Sequence, residues 1–314
     1  MLRVCVLDGD QMKSGGAELL DVPGPKWLDL QPPDSTVLHE LQERLGLHTL
    51  EIEDCLHLDQ RPKIEEYANH QFIVLQGFTA EKEDLTDITM HELHLFVGEN
   101  WVLSVREREH KNIDSVYARV KADPKATLGR GADFVAYLLT DVLVDRNFPL
   151  LDAFNDALEN IEERVFNDPS HALMQEVFGM KRSLAQVRRV LSPQRDVVGL
   201  LARRGMAYVK EPTTLYFRDV YDHLVRIYEQ IDASRDLLGS AMEAHLAVVA
   251  NRTNDVTKQL TIFASIFMPL SFVVGFFGQN FTQVQTPQMF WTMAVLVPLI
   301  PVLMILWFVT RKWF

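Results

Sequence analysis

A stretch of 52 consecutive residues without Asp, Glu, Lys, Arg or His lies between Lys258 and Arg311 of this 314-residue chain. Two apolar runs fill most of it, Leu260–Gly278 and Met289–Thr310. As α-helices they would be roughly 28 and 33 Å long, which matches a hydrocarbon core about 30 Å thick. Helices of a soluble protein rarely stay free of charge on every side over such lengths. The sequence therefore predicts two membrane-spanning helices rather than a buried soluble hairpin.

Positive charges flank the two spans on their outer sides. Arg252 and Lys258 precede the first span, Arg311 and Lys312 follow the second, and the turn between the spans is uncharged. Because Lys and Arg beside a span stay on the cytoplasmic side, we expect both termini in the cytoplasm and a multi-pass protein of the inner membrane. Met1–Asp8 is too short an apolar run for a signal peptide, so no targeting segment is expected.

The part of the chain before the charge-free stretch is acidic. All 43 Asp and Glu residues precede it, against 29 of the 31 Lys and Arg residues, which leaves a net charge of −14 on residues 1–258. Such a surface argues against nucleic-acid binding and suits contact with cations. Two cysteines, Cys5 and Cys55, exclude a disulfide scaffold. No Ser-His-Asp, Cys-His or phosphate-loop pattern is present, so we do not expect an enzyme.

A single long helix is predicted to lead into the membrane. From Thr213 to Met268 there is no proline and only one glycine, Gly239, and apolar residues recur at helical spacing. Continued to Gly278, this helix would be about 100 Å long. Two spans cannot enclose an aqueous path, so transport would require several copies of the chain around an axis.

One side of the membrane end of this helix is small, polar or flexible, whereas the opposite side carries four phenylalanines. A stripe of this kind is typical of a helix-packing face and also of a pore lining. Spacing alone favours packing but leaves both interpretations open. The stripe residues follow a three-and-four spacing, which skips one step between Thr257 and Ala264, at Leu260 and Thr261. They are Asn254, Thr257, Ala264, Met268, Ser271, Gly275 and Gly278.

The turn after the first span identifies a resemblance. It begins with Gly278-Gln279-Asn280, and with the segments around it this triplet closely resembles the CorA family of divalent-cation channels, whose signature at this place is Gly-Met-Asn. The resemblance covers nearly the whole chain. The other matching segments are Gln60–Lys63, Tyr216–His223, Thr253–Val256, Ile266–Phe272 and the basic tail Arg311–Trp313.

The resemblance implies a homopentameric channel in which an α+β cytoplasmic domain, an α/β/α funnel, is followed by a long stalk helix and two transmembrane helices. Short strand-type runs and intervening helical patterns agree with such a domain, and breaks are expected near Asn167–Pro169 and Ser192–Pro193. The predicted segments are a cytoplasmic α/β domain (1–130), a helical hairpin (131–212), the stalk (213–259), the first transmembrane helix (260–278), an extracytoplasmic loop (279–288), the second transmembrane helix (289–310) and a basic cytoplasmic tail (311–314). The predicted strands are Leu2–Leu7, Trp27–Leu30, Phe72–Phe78, His94–Val97 and Trp101–Val105.

The resemblance also implies roles along the pore. A ring of Asn280 amides at the outer entrance would accept hydrogen bonds from the water shell of a hydrated cation without holding the ion too tightly. Asn254 would form a second polar ring at the inner end, and Leu260 and Met268 resemble the family's apolar constrictions. The alternative role for Asn280 is a helix C-cap. The remaining pore positions are Gly278, Gln279, Thr257, Ser271 and Gly275.

Regulation by cytoplasmic Mg2+ is a further implication. In the family, acidic residues between neighbouring funnel domains bind Mg2+ and hold the channel closed. Asp219 lies on the sensing position of its motif, Asp84 is the better match for its partner, and Glu243 would extend an acidic pore lining. Facing carboxylates repel unless a cation lies between them. The alternative is that these acids are solvated surface charges.

These expectations define a divalent-cation channel for Mg2+, and also Co2+ or Ni2+, that partners with itself, the lipid bilayer and its cations. Two departures from the family's sequence pattern bear on which cation is carried. Gln279 replaces the usual Met, and Phe281–Phe290 lacks the acidic residues that many members place there. A Zn2+ or Co2+/Ni2+ transporter of the same fold, perhaps proton-coupled, is therefore one alternative. A non-conducting membrane-anchored sensor or scaffold is another.

Overall fold

The computed structural model describes residues 1–57, 59–80, 84–107, 111–278, 286–311 and 313. Within these residues each predicted strand-type run forms part of a strand, and two short strands that the sequence did not predict complete the set. The strands are β1 (Leu2–Asp8), β2 (Gln11–Gly15), β3 (Lys26–Leu30), β4 (Lys63–Glu66), β5 (His70–Ala80), β6 (Ile88–Gly98) and β7 (Trp101–Arg106).

These strands form one sheet in the order β2-β1-β3-β7-β6-β5-β4. Neighbouring strands are antiparallel, except that β3 and β7 are parallel. The turn Gly98-Glu99-Asn100 joins β6 to β7 as an antiparallel hairpin, as its glycine and asparagine predict. The α-helices are α1 (Ser35–Leu45), α2 (Thr49–Leu56), α3 (Lys111–Ala122), α4 (Ala132–Asp145), α5 (Asn147–Asn167), α6 (His171–Leu201), α7 (Glu211–Phe277) and α8 (Pro287–Thr310).

Both faces of the sheet are covered by helices. Side chains alternate between faces along a strand, so Leu28 of β3 packs into a core shared with Leu38 and Ile52 of α1 and α2. The neighbouring Trp27 faces the other side, where its ring lies 5.8 Å from that of Tyr117 in α3. Helix α4 contacts β3, β5, β6 and β7. The N-terminal part thus has the α/β/α layers that the resemblance implies.

A buried ion-pair network fixes α3 to the sheet. Asp29, which is 1% exposed, accepts hydrogen bonds from Arg3 and from Arg106, whose Nη2 lies 3.0 Å from its Oδ2. Both arginines also reach Asp114 of α3. The carboxylate of Asp29 is therefore the central acceptor for two cations, one of which, Arg106, is itself only 3% exposed.

We expect Asp29→Ala to lower the free energy of unfolding of this α/β part by about 3–5 kcal/mol, because it leaves a buried guanidinium without its main partner. Asp21→Ala is the matched control. Asp21 pairs with Arg44 on the surface, and such pairs contribute only about 0–1 kcal/mol. Thermal and urea unfolding of the purified chain measures both variants, and equal losses would contradict a structural role for the network.

The helical region after Ala132 departs from the prediction at two points. Helix α6 continues through Pro193 instead of breaking there. Proline inside a helix costs about 3 kcal/mol, but Leu191, Val197 and Val198 around it are buried, and each buried apolar side chain contributes about 1.5–3 kcal/mol. Packing therefore outweighs the lost hydrogen bond.

The second departure is a break at Arg146, between α4 and α5, where the sequence predicts continuous helix. Pro149 lies in the first turn of α5, where its missing N–H has no intrahelical partner to lose. That proline is the signal that could have located the break.

The predicted long helix is present as α7, which runs without interruption from Glu211 to Phe277 and through Pro269. Helix α8 begins at Pro287, earlier than the predicted Met289, because the hydroxyl of Thr286 accepts a hydrogen bond from the backbone N–H of Met289 and caps it. Both α7 and α8 contain apolar stretches long enough to cross a membrane. The chain divides into two compact units, Met1–Arg164 with Ser170–Met242, and Val165–Pro169 with Glu243–Phe314.

Candidate functional site

Aromatic side chains align α4 with α7 in the first of the two units. The ring of Tyr137 lies 5.0 Å from that of Tyr216 and 6.0 Å from that of Phe217. Arg130 lies over Phe134, 3.7 Å from its ring centroid, and also over Tyr216 at 4.7 Å. These contacts combine apolar burial with cation–π attraction. They fix the two helices side by side one turn before the polar residues described next.

One turn further along, α4 and α7 each present two ligand-type side chains at i, i+4 spacing, which lie on one helix face. Asp141 and Asp145 of α4 meet His223 of α7, with one ligand atom from each lying within 4.8 Å of the others. The Nδ1 atom of His223 is 3.0 Å from Oδ1 of Asp145, and its Nε2 is 3.9 Å from Oδ2 of Asp219. We call Asp141, Asp145, Asp219 and His223 the α4–α7 cluster.

The electrostatics of the α4–α7 cluster favour a cation. Burial, with the nearby carboxylates of Asp145 and Asp219 adding to it, raises the pKa of Asp141 from its ordinary 3.8 to about 6. His223 and Arg119 oppose this shift but do not cancel it. A divalent cation would offset the carboxylate repulsion that adds to the effect of burial on the pKa of Asp141. Among the described residues, Asp141, Asp145 and His223 form the only such group of three potential metal ligands.

The donor set fits a divalent ion. The Nδ1 atom of His223 and Oδ1 of Asp145 are hydrogen-bonded at 3.0 Å, so a metal ion that used both as ligands would replace this hydrogen bond. Carboxylate oxygens suit Mg2+, whereas an imidazole nitrogen suits Co2+, Ni2+ and Zn2+. The cluster can therefore accept Mg2+ through its carboxylates, directly or through water, and has one ligand that favours the transition metals.

Cation binding at the α4–α7 cluster should weaken as the pH falls through 6, because a proton on Asp141 competes with the ion. Without the ion, a carboxyl whose pKa is raised by folding stabilises the fold below its ordinary pKa. That contribution is lost as the pH rises through 6. We therefore expect the rise in melting temperature on adding Mg2+ to be large well above pH 6 and small well below it. A pH-independent rise, or the same pH profile in Asp141→Asn, would contradict this.

Of the three predicted regulatory residues, one lies in the α4–α7 cluster and two lie outside it. Asp219 is 69% exposed and lies at the edge of the α4–α7 cluster beside His223. Asp84 is not a member: its Oδ1 accepts hydrogen bonds from the hydroxyl and the backbone N–H of Thr86, and these lower its pKa. Glu243 is exposed on α7. Within one chain, therefore, only Asp219 joins the cluster.

The predicted pore residues of α7 are solvent-exposed in the single chain. Leu260 is 68% and Met268 74% exposed, and Asn254, Thr257, Ser271, Gly275 and Gly278 are exposed as well. The N–H of Gly278 donates to the carbonyl of Val274, which continues the helical pattern to the mouth of the span. Gln279 and Asn280 lie outside the described residues.

Sequence reasoning missed Asp141, Asp145 and His223. Their signal was present as two i, i+4 pairs, Asp141 with Asp145 and Asp219 with His223. Neither pair by itself predicts a metal site, since such pairs are common on exposed helix faces. Only the packing of α4 against α7, across 78 positions of sequence between Asp145 and His223, brings them together.

Comparisons with known proteins agree with this architecture. The family model for CorA-like Mg2+ transporter proteins matches residues 23–312. The cobalt/magnesium transport protein CorA of Thermotoga maritima is 34% identical over 297 residues, which cover 93% of this chain and 84% of that protein. The zinc transport protein ZntB of Yersinia pseudotuberculosis is 23% identical over 256 residues, covering 81% of this chain and 77% of that protein.

A solved structure shows the same fold over the full chain. The complete structure of the CorA magnesium transporter from Methanocaldococcus jannaschii matches with a TM-score of 0.86 and 20% sequence identity, covering 100% of this chain and 99% of that chain. At this identity the likeness establishes the fold and leaves the cargo open.

Proposed function

Because this chain belongs to the family of CorA-like Mg2+ transporter proteins, we propose that it admits Mg2+ to the cytoplasm through a homopentameric channel in the inner membrane. Divalent-cation transport is the family's activity, and α7 and α8 are the candidate spans. Cytoplasmic Mg2+ acts as the closing signal. Both termini are cytoplasmic, as the flanking basic residues predict.

One observation carries the proposal: a single helix, α7, bears both a cation-type ligand pair and an uncharged exposed stripe. Asp219 and His223 lie near its beginning, and Asn254 to Gly278 lie at its apolar end. Within the apolar span the stripe exposes the hydroxyl of Ser271 and the small residues Gly275 and Gly278; a polar group facing lipid is costly, so the stripe is best placed against water or another helix. Several copies that turn this face inward would enclose a path that neither α7 nor α8 can form alone.

The side chains along the stripe give the path its chemistry. Ser271 offers a hydroxyl and Gly275 a small surface, and Leu260 and Met268 can close the path by excluding water. Asn280 and Gln279 supply uncharged oxygens at the outer end, where Mg2+ keeps its hydration shell. An uncharged entrance recruits cations less strongly than an acidic one, so we expect a modest affinity at the mouth.

Regulation is assigned to the α4–α7 cluster. Ionised Asp141, Asp145 and Asp219 repel one another, and a bound divalent ion neutralises that repulsion. Asp84 of a neighbouring copy is the proposed further ligand, since its exposed carboxylate has free lone pairs beyond those used by Thr86. Loss of the ion would loosen the packing between copies, and the path would open.

A second candidate cargo is Zn2+ or another transition metal. His223 in the α4–α7 cluster favours this alternative, since imidazole suits these metals, and Gln279 in place of the family's usual Met leaves the choice of cation open. Proton coupling would need an ionisable group along the path, and the apolar parts of α7 and α8 contain none.

Flux into proteoliposomes tests the proposal. Purified chain is reconstituted, and the uptake of Mg2+, Co2+, Ni2+ and Zn2+ is followed with and without a pH gradient, against protein-free vesicles. We expect Mg2+ uptake that does not depend on the pH gradient. Uptake of Zn2+ alone, driven by that gradient, would support the second candidate, and no uptake of any of the four ions would favour a non-conducting scaffold.

A further inference from the structure

A separate cavity of about 490 Å3 opens where α6 ends and the first turns of α7 pass beside it. Its volume lies in the range of small-molecule sites. Two arginines, Arg203 and Arg218, and the ring of Tyr221 line it, with Gly199 and Asp196 on the α6 side. Arg218 and Tyr221 belong to the sequence motif that supplies Asp219, yet neither has a part in the cation site. We call this cavity the α6–α7 pocket.

The guanidinium of Arg218 is anchored but not neutralised. Its Nε donates a hydrogen bond of 3.3 Å to the carbonyl oxygen of Ala202, the residue that caps α6. Among the described residues, no carboxylate forms an ion pair with either Arg218 or Arg203. By contrast, the adjacent Arg204 pairs with Glu211 at 3.2 Å. In the part of the chain that the structure describes, these two arginines therefore line one cavity without forming an ion pair.

Gly199 lets the ring of Tyr221 pack closely on α6. A Cβ at this position would meet two ring carbons of Tyr221 at 3.1 and 3.3 Å, tighter than ordinary van der Waals contact. The ring thus approaches the backbone of α6 closely and forms one wall of the pocket. An aromatic wall beside two guanidinium groups offers both a flat apolar surface and charged hydrogen-bond donors.

The charge balance of the α6–α7 pocket is positive. Asp196 is the one acidic residue in its lining, and its Oδ1 already lies 3.1 Å from Nη2 of Arg195. The C-terminal end of α6 adds roughly half a negative charge, which two full positive charges outweigh. Planar guanidinium groups match the paired oxygens of phosphate groups with two parallel hydrogen bonds. From these observations we propose that the α6–α7 pocket binds a phosphate-bearing anion.

The proposal is independent of the transport function, so binding is measured directly. The full chain, purified in detergent and freed of metal with EDTA, is titrated calorimetrically with inorganic phosphate, pyrophosphate, ATP and, as the control without phosphate, adenosine. We expect saturable binding of at least one phosphate compound and none of adenosine. Tightest binding of inorganic phosphate would identify the free ion as the ligand, and tightest binding of ATP would identify a nucleotide.

Substitutions locate the site. Arg203→Gln should weaken binding at least about tenfold, since it removes charge-assisted hydrogen bonds, whereas the matched control Arg204→Gln should change it less than about twofold, as expected for an exposed pair. Arg218→Gln also loses its contact with Ala202, so its thermal unfolding is measured alongside. No saturable binding of any phosphate compound, binding that survives both Arg203→Gln and Arg218→Gln, or equal losses in Arg203→Gln and Arg204→Gln would overturn the proposal.

Discussion

Asn280→Ala should reduce cation uptake to below about 1% of the unsubstituted protein, because several copies lose a hydrogen bond to the ion's water shell at once and each such bond is worth roughly 1.5–3 kcal/mol. Asn280 lies far from the α/β domain in sequence, so we expect assembly and thermal stability to stay unchanged. Uptake of Mg2+ into proteoliposomes, read with a Mg2+-sensitive dye, measures the loss. Size-exclusion chromatography of the same preparation checks the oligomer.

The loop itself offers a matched control for this substitution. Gln285→Ala removes an amide of the same chemistry from the same turn, at a position with no assigned role, and should keep uptake within about twofold, as most surface substitutions do. If Asn280→Ala retained full flux, or if both variants lost it equally, a specific entrance ring would be excluded. Asn280 would then be better explained as a cap of the first span.

The double variant Asp141→Asn and Asp145→Asn should make uptake resistant to Mg2+ on the cytoplasmic side. Two negative charges disappear from the α4–α7 cluster while the shapes of the side chains remain. Because each charge close to a divalent ion contributes about 1 kcal/mol or more even in water, the inhibitory concentration should rise at least about tenfold. The measurement is flux at increasing Mg2+ on the face that carries the cluster, and Asp219→Ala should shift it in the same direction.

A second double variant separates this effect from net charge. Asp222 and Asp236 are exposed on α7, outside the α4–α7 cluster, and their replacement by Asn removes the same charge from the same unit. Inhibition by Mg2+ should then be unaltered. Unchanged inhibition by Mg2+ in the cluster variant, or an equal change in both variants, would indicate that Asp141, Asp145 and Asp219 are only solvated surface charges.

The sequence predicted the elements whose signal is local. Strands such as His94–Val97, the hairpin at Glu99 and the long helix all follow from periodicity, turn residues and the absence of proline. The α6 helix differed at Pro193 because burial of its neighbours, which depends on tertiary packing, outweighs a local propensity. Short edge strands such as β2, with mostly exposed side chains, carry too little pattern to be recognised.

For the candidate site, too, only the residues with a local sequence signal could be predicted. Asp219 could be proposed from its motif, but its neighbours Asp141 and His223 could not, because no local signal says that α4 packs against α7. The aromatic contacts of Tyr137 with Tyr216 decide that pairing. The assembly of several copies around a pore leaves no local signal in the sequence. The roles of Asn254 and Asn280 remain proposals that rest on the resemblance and on the chemistry of amides.

The absence of ionisable side chains from α8 and from the apolar end of α7 has an electrical consequence. Moving one elementary charge through the membrane field is worth about 2.3 kcal/mol per 100 mV, and voltage sensors obtain their steepness by moving several. A rearrangement of these two helices displaces no such charge. In the proposed channel, membrane potential would therefore act through the double charge of the cation, as a driving force for entry, and the proposed opening would depend on ligand binding.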